Sequence, residues 1–103
     1  MKTKYILLLI AMMTAIGTTA QTWPSPKPEA RPGTRWWWLG SAVDHQGLEW
    51  NIGEYARVGI GAVEITPLYG VKGNEAHELP FLSPQWMAAL RDVQQIAAAH
   101  HIE

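Results

Sequence analysis

The chain has 103 residues, with eight lysines and arginines against nine aspartates and glutamates, and a formal net charge of −1 at pH 7. This balance gives no reason to expect nucleic acid or an anionic membrane as a partner. The absence of cysteine excludes disulfides and a lipid-modified cysteine at the N-terminus. Six tryptophans are many for this length, and such rings either fill a core or stack on a ligand.

The N-terminus has the pattern of a secretory signal. Lysines at positions 2 and 4 precede the apolar run Tyr5–Ile16, and four small residues end at Ala20. This order predicts a signal peptide over residues 1–20 and export to the periplasm or the extracellular space. A membrane anchor would need about 20 apolar residues, so we expect no membrane span after cleavage. Removing the signal leaves 83 residues with a net charge of −3.

Residues 21–33 follow as a proline-rich linker or arm. Four prolines in this segment remove backbone donors and favour an extended chain, so we expect ordered structure to begin at Thr34.

The first strand and helix come next. Arg35–Leu39 is short and aromatic, which predicts a strand. Asp44 is the predicted N-cap of a helix whose apolar side chains recur at helical spacing. Gly59 is placed to end that helix in the left-handed conformation, with Ile60 packing back on Tyr55.

A second strand and helix repeat this order. Gly61–Thr66 is β-branched and apolar, which predicts a strand buried on both faces, and we expect Pro67 to end it. The segment Leu68–Leu82 is predicted to be a loop. Ser83 and Pro84 then have the pattern of an N-cap and a first helical residue.

The second helix has an apolar stripe, and a hydrophobic contact is predicted at its start, between Leu82 and Met87. The stripe consists of Trp86, Leu90, Val93 and Ala97. The last four residues, His100–Glu103, are predicted to form the exit turn and the beginning of a third strand.

Alternation of strand and helix predicts βαβ units and a parallel sheet, hence the α/β class. Two units cannot close a barrel, which needs about 250 residues. We therefore expect residues 34–103 to be the N-terminal part of a larger domain, truncated at the third strand. A small complete α/β domain is the alternative.

In parallel α/β folds, ligands bind at the carboxyl ends of the strands. Trp36 and Trp38 point to the same side of the first strand and are candidates to line such a site. Packing in the core is the alternative for both rings.

Glu64 is a second candidate. A carboxylate within an apolar strand loses solvation unless it faces a wet cavity or a partner. It could accept hydrogen bonds from sugar hydroxyls, or pair with an arginine such as Arg35 on the neighbouring strand.

The loop after the second strand offers weaker candidates. Tyr69 could stack on a sugar ring, and Asn74 and Glu75 could bind hydroxyls or a calcium ion, although the spacing of a calcium loop is absent. His77 has no spaced partner that would favour zinc. The sequence has no phosphate-binding loop and no nucleophile elbow.

Three segments together resemble a known family. RPGTRWWWLGSAVD, EYARVGIGAVEITPLYGVKGNE and FLSPQWMAAL are similar to the start of the catalytic region of glycoside hydrolase family 106, the α-L-rhamnosidases. The similarity covers Arg31–Glu103. The resemblance implies an exported multidomain enzyme with an N-terminal (β/α)8 TIM-like barrel.

The resemblance also implies an activity: removal of terminal α-L-rhamnose from plant polysaccharides with inversion, calcium being associated with the full-length enzyme. Inversion needs a carboxylic acid and a carboxylate about 6.5–9.5 Å apart. The family's pair lies on later strands, so no catalytic residue or cofactor is expected in this chain. Sugar contacts are expected at Trp36, Trp38 and Glu64, and less strongly at Tyr69, Asn74 and Glu75. A glycosidase for another sugar and a small exported sugar-binding module are the alternatives.

Overall fold

The computed structural model describes residues 2–15 and 22–103, without the side chains of residues 12–15. Helix α1 comprises Lys2–Ala15, and its apolar side chains from Tyr5 to Ile10 are exposed. The predicted cleavage point after Ala20 lies outside the described residues. No helix in the described part of the chain is both long enough and apolar enough to cross a membrane.

Strands and helices alternate after the arm, as the sequence predicts. The elements are a 3-10 turn at Pro28–Ala30, β1 at Gly33–Leu39, α2 at His45–Arg57, β2 at Ala62–Leu68, a second 3-10 turn at Glu75–His77, and α3 at Pro84–Ala99. The α/β class is therefore confirmed. The first 3-10 turn was not expected within the proline-rich arm.

Strands β1 and β2 form a parallel sheet in which Trp36 pairs with Ile65 and Trp37 with Thr66. Alternation of side chains places Trp36 and Trp38 on one face and Trp37 on the other. The first face packs on α2 and α3. Its buried cluster is Trp36, Trp38, Leu48, Ile52, Val93, Ile96, Ala97 and Ile102. Both helices therefore lie on the same side of the sheet.

The ends of α2 are as predicted. The Asp44 side chain accepts a hydrogen bond from the Gly47 N–H at 2.8 Å. Gly59 has a φ of 89°, and the Ile60 N–H donates to the Tyr55 carbonyl at 2.9 Å. These contacts complete a Schellman motif, which pairs carbonyls that a helix end leaves open.

The start of α3 is confirmed in part. The Ser83 hydroxyl accepts a hydrogen bond from the Trp86 N–H at 3.2 Å, and Pro84 is the first helical residue. Leu82 has a φ of 60° and is 62% exposed, so the predicted contact with Met87 is not supported. The left-handed backbone at Leu82 leaves the side chain in solvent.

The prediction that Pro67 ends the second strand is wrong, because β2 continues to Leu68. The Leu68 carbonyl faces β1, where it accepts a hydrogen bond from the Gly40 N–H at 3.0 Å. The nitrogen and the carbonyl of one residue face the same edge of a strand, and neighbouring residues face opposite edges, so the nitrogen of Pro67 faces away from β1. Its missing N–H therefore costs no hydrogen bond between β1 and β2.

The last residue pairs with the far side of β2. The Glu103 N–H donates to the Gly61 carbonyl at 2.9 Å, and the Val63 N–H donates to the Glu103 carbonyl at 2.7 Å. This pair of bonds is the pattern of a parallel ladder. The backbone thus runs parallel to β2 at Glu103, on the edge opposite β1.

The arm covers the amino ends of the strands. The Gly61 N–H donates to the Pro32 carbonyl at 2.9 Å. A Cβ at Gly61 would lie 2.6 Å from the Cβ of Arg31 and 2.7 Å from the Pro28 carbonyl oxygen. Glycine is therefore required where the arm meets the sheet.

Candidate functional site

The chain turns sharply at the carboxyl end of β1. Gly40 and Ser41 both have left-handed backbone, with φ values of 60° and 49°. The Leu79 N–H donates to the Gly40 carbonyl at 3.1 Å, while the Gly40 N–H bonds to the end of β2. This turn therefore joins the two strand ends to the loop that precedes α3.

Ser41 fixes that turn to α3. Its side chain is 3% exposed, and its hydroxyl oxygen accepts a hydrogen bond of 2.9 Å from the indole nitrogen of Trp86. The Trp86 ring also contacts Phe81, with ring centroids 4.9 Å apart in an edge-to-face arrangement. Backbone strain at a non-glycine residue, held by buried contacts, is common at functional sites.

A cavity of about 570 Å³ opens at these strand ends, and we call it the strand-end cavity. Its walls come from the β1 turn, the end of β2 and the segment before α3. The lining residues are Gly40, Ser41, Pro67, Leu68, Tyr69, Gly70, Glu78, Leu79, Pro80 and Phe81. Most of this surface is apolar, and none of these residues is basic.

Glu78 provides the carboxylate of the strand-end cavity. Its side chain is half-buried and lies against two glycines, Gly40 and Gly70. A Cβ at Gly40 would lie 2.6 Å from the Glu78 Cγ, and a Cβ at Gly70 would overlap the carboxylate. The absence of side chains at these two positions is what makes room for the carboxylate.

Two aromatic rings border the same cavity. Tyr69 is 85% exposed directly after β2, and Phe81 is exposed on the segment before α3. Exposed rings offer apolar contact surfaces, and the Glu78 carboxylate can accept hydrogen bonds. Of the predicted site residues, Tyr69 is the one that this cavity contains.

Trp36 and Trp38 lie elsewhere. Both rings are buried between the sheet and the helices, where Trp36 contacts Tyr55 and Trp38 contacts Trp86 edge-to-face. Core packing, the alternative, accounts for the burial of both rings. Both residues also line a second cavity of about 440 Å³ beside the carboxyl end of β1, so a sugar contact at Trp36 and Trp38 stays a prediction. Trp37 points to the opposite face and is 64% exposed.

Glu64 lies on that opposite face of the sheet. Its carboxylate is 3.3 Å from the Arg35 Nε on β1, and both side chains are exposed. This is the ion pair that the sequence offered as an alternative to a sugar contact. The pairing leaves a role for Glu64 in sugar binding as a prediction, because an exposed carboxylate can still accept hydrogen bonds from hydroxyls.

Asn74 and Glu75 lie in the loop beyond the cavity. Both Glu75 carboxylate oxygens accept from the Gly73 N–H at 3.0 Å, and this backbone bond lowers the pKa of Glu75. Within the described residues, no three His, Asp or Glu side chains come together as a metal site. A role for Asn74 and Glu75 in binding hydroxyls or calcium stays a prediction.

Sequence reasoning did not single out Glu78. Of the carboxylates in this loop, Glu75 is the candidate that the sequence analysis names. The available signal was the pair of glycines after the two strands, Gly40 and Gly70, because glycines at strand ends leave space for a neighbouring side chain.

Comparisons of the chain with protein-family models, with curated proteins and with solved structures find no match.

Proposed function

We propose that this chain is the N-terminal part of an exported glycoside hydrolase, an inverting α-L-rhamnosidase acting on plant polysaccharides. The observation that carries the proposal is the strand-end cavity. It combines exposed rings at Tyr69 and Phe81 with the Glu78 carboxylate, at the end of a parallel sheet where ligands bind in α/β folds.

A barrel fits the topology better than an open, doubly wound sheet. Both helices cover one face of the sheet, and Glu103 continues the strand order on the far side of β2. In a (β/α)8 barrel, each new strand is added on the same side of the one before it, and all the helices lie on one face of the sheet. A doubly wound sheet carries helices on both faces.

The catalytic pair is proposed to come from residues beyond this chain. Glu78 is the sole carboxylate among the described residues that line the strand-end cavity, whereas inversion needs two carboxyl groups. The chain alone is therefore expected to bind sugar without cleaving it. The same observation favours a second candidate, a sugar-binding module that has no catalytic role.

Export is part of the proposal. The two lysines in the first turn of α1, ahead of its apolar residues, support a secretory signal, because this order is typical of signal peptides. We place the enzyme in the periplasm or outside the cell.

The test is an assay of the polypeptide encoded by the whole reading frame. It should release the aryl group from an aryl α-L-rhamnoside at least a hundredfold faster than from the matching glucoside and galactoside. A faster reaction on another glycoside would reassign the sugar. A folded product that hydrolyses none of these glycosides but binds sugar would favour the binding module.

A further inference from the structure

The contacts of the Glu78 side chain come from two parts of the chain, the turn after β1 and the loop between β2 and α3. Gly40 belongs to the turn after β1, Gly70 follows β2, and Glu78 precedes the segment leading to α3. The backbone bond from Leu79 to Gly40 fixes the loop at this point. The Glu78 side chain thus occupies, at the strand ends, the space that side chains at positions 40 and 70 would need.

The charge of the strand-end cavity restricts what can bind there. Among its described lining residues, Glu78 is the acidic one and no lysine, arginine or histidine is present. A carboxylate can accept hydrogen bonds from two hydroxyls, because each of its oxygens is an acceptor. An anionic sugar would instead face repulsion in a partly desolvated site.

We infer that Glu78 binds two neighbouring hydroxyls of an uncharged sugar, that Gly40 and Gly70 position its carboxylate, and that the site rejects uronic acids. The exposed rings of Tyr69 and Phe81 would meet the apolar face of the sugar. This inference rests on the proposed function for the class of ligand, a sugar. It adds that Glu78 binds the sugar and that the site selects uncharged sugars.

Titration of the full chain tests the inference. The probes are the methyl glycosides of L-rhamnose, galactose and glucose, with methyl galacturonide as the charged probe. The readout is the indole N–H signal of Trp86 in a ¹⁵N-labelled sample, because this group bonds to Ser41 in the cavity wall and its ring contacts Phe81. At least one uncharged glycoside should give a saturable shift, and the galacturonide should give none.

The variant Glu78→Gln should weaken that binding about tenfold, since hydrogen bonds to a charged acceptor are stronger than those to a neutral one. Glu29→Gln makes the same change on the arm, at the opposite end of the strands, and should leave binding unchanged. Dispersion of the backbone signals would show that both variants are folded. Equal affinity of wild type and Glu78→Gln would overturn the inference.

Gly70→Ala tests the positioning role. A methyl group there displaces the flexible end of Glu78, so binding should weaken as in Glu78→Gln. Because both changes act through one carboxylate, the double variant should bind no more weakly than either single variant. Additive losses would show that Gly70 acts independently of Glu78 and would contradict its assigned role.

Two outcomes separate this inference from the proposed activity. Binding of an uncharged glycoside through Glu78, with no rhamnoside hydrolysis by the longer polypeptide, would leave the inference standing and refute the proposed activity. Hydrolysis with an unchanged KM in Glu78→Gln would refute the inference and leave the activity. Failure of every uncharged glycoside to bind the chain, or tight binding of the galacturonide, would also overturn the inference.

Discussion

Replacing Ser41 by alanine tests the contact that joins the β1 turn to α3. The Ser41 hydroxyl is buried and accepts the indole N–H of Trp86 at 2.9 Å, so its removal leaves a buried donor without a partner. Such a loss costs about 1–3 kcal/mol. We expect Ser41→Ala to lower the free energy of unfolding by about 2 kcal/mol, or roughly 30-fold in the equilibrium constant.

Ser41→Gly is the matched variant, because it removes the same hydroxyl but relieves the left-handed backbone. That relief is worth about 1–2 kcal/mol, so glycine should cost less than alanine. Urea unfolding followed by far-UV circular dichroism measures the three stabilities without relying on tryptophan emission. The reasoning would be refuted if Ser41→Ala were as stable as wild type, or if Ser41→Gly were the less stable variant.

Four further substitutions have distinct expected results. Gly53→Ala should stabilise α2 by about 1 kcal/mol, because its Cβ would meet only an ordinary contact at 3.9 Å. Gly61→Ala should lower the free energy of unfolding by about 1–3 kcal/mol, because its Cβ would overlap the arm. If urea unfolding showed Gly61→Ala to be the more stable of the two variants, that packing would be contradicted. The hydrogen bond and charge of Asp92 raise the pKa of His45 above 6.5. The pair therefore stabilises the folded state fully below about pH 6.5, and this stabilisation is lost as the pH rises through the raised pKa. Asp92→Asn should return the pKa to its usual range by NMR titration, and an unchanged value would exclude the pairing. In the longer enzyme, Glu64→Gln should lower kcat/KM on rhamnosides at least tenfold without unfolding, whereas unchanged kinetics would limit Glu64 to its ion pair.

The helix boundaries were predictable because they depend on local contacts. Asp44 and Ser83 each accept a hydrogen bond from a backbone N–H three residues later, and Gly59 adopts the left-handed conformation that ends α2. Each of these features is contained within a few residues, so the sequence carries the whole signal.

The positions of the tryptophans could not be predicted in the same way. Alternation shows that Trp36 and Trp38 share a face and that Trp37 has the other, but all three are tryptophan. The pattern therefore does not tell which face the helices cover. That choice depends on the handedness of the connection from β1 through α2 to β2, which is a property of the whole unit.

Pro67 and Glu78 show a second limit. The effect of Pro67 depends on which edge of β2 its nitrogen faces, and this is set by the pairing with β1. The position of Glu78 depends on Gly70 in its own loop and on Gly40 in the distant turn after β1. Both features arise from contacts between distant parts of the chain, which no local pattern records.

A crystal structure of the longer polypeptide with bound L-rhamnose would test the central claim most directly. We predict that a third parallel strand continues from Glu103 beside β2, that the sheet closes into a barrel, and that the sugar lies in the strand-end cavity within hydrogen-bond distance of Glu78. A strand inserted elsewhere, or a sugar bound away from Glu78, Tyr69 and Phe81, would contradict it.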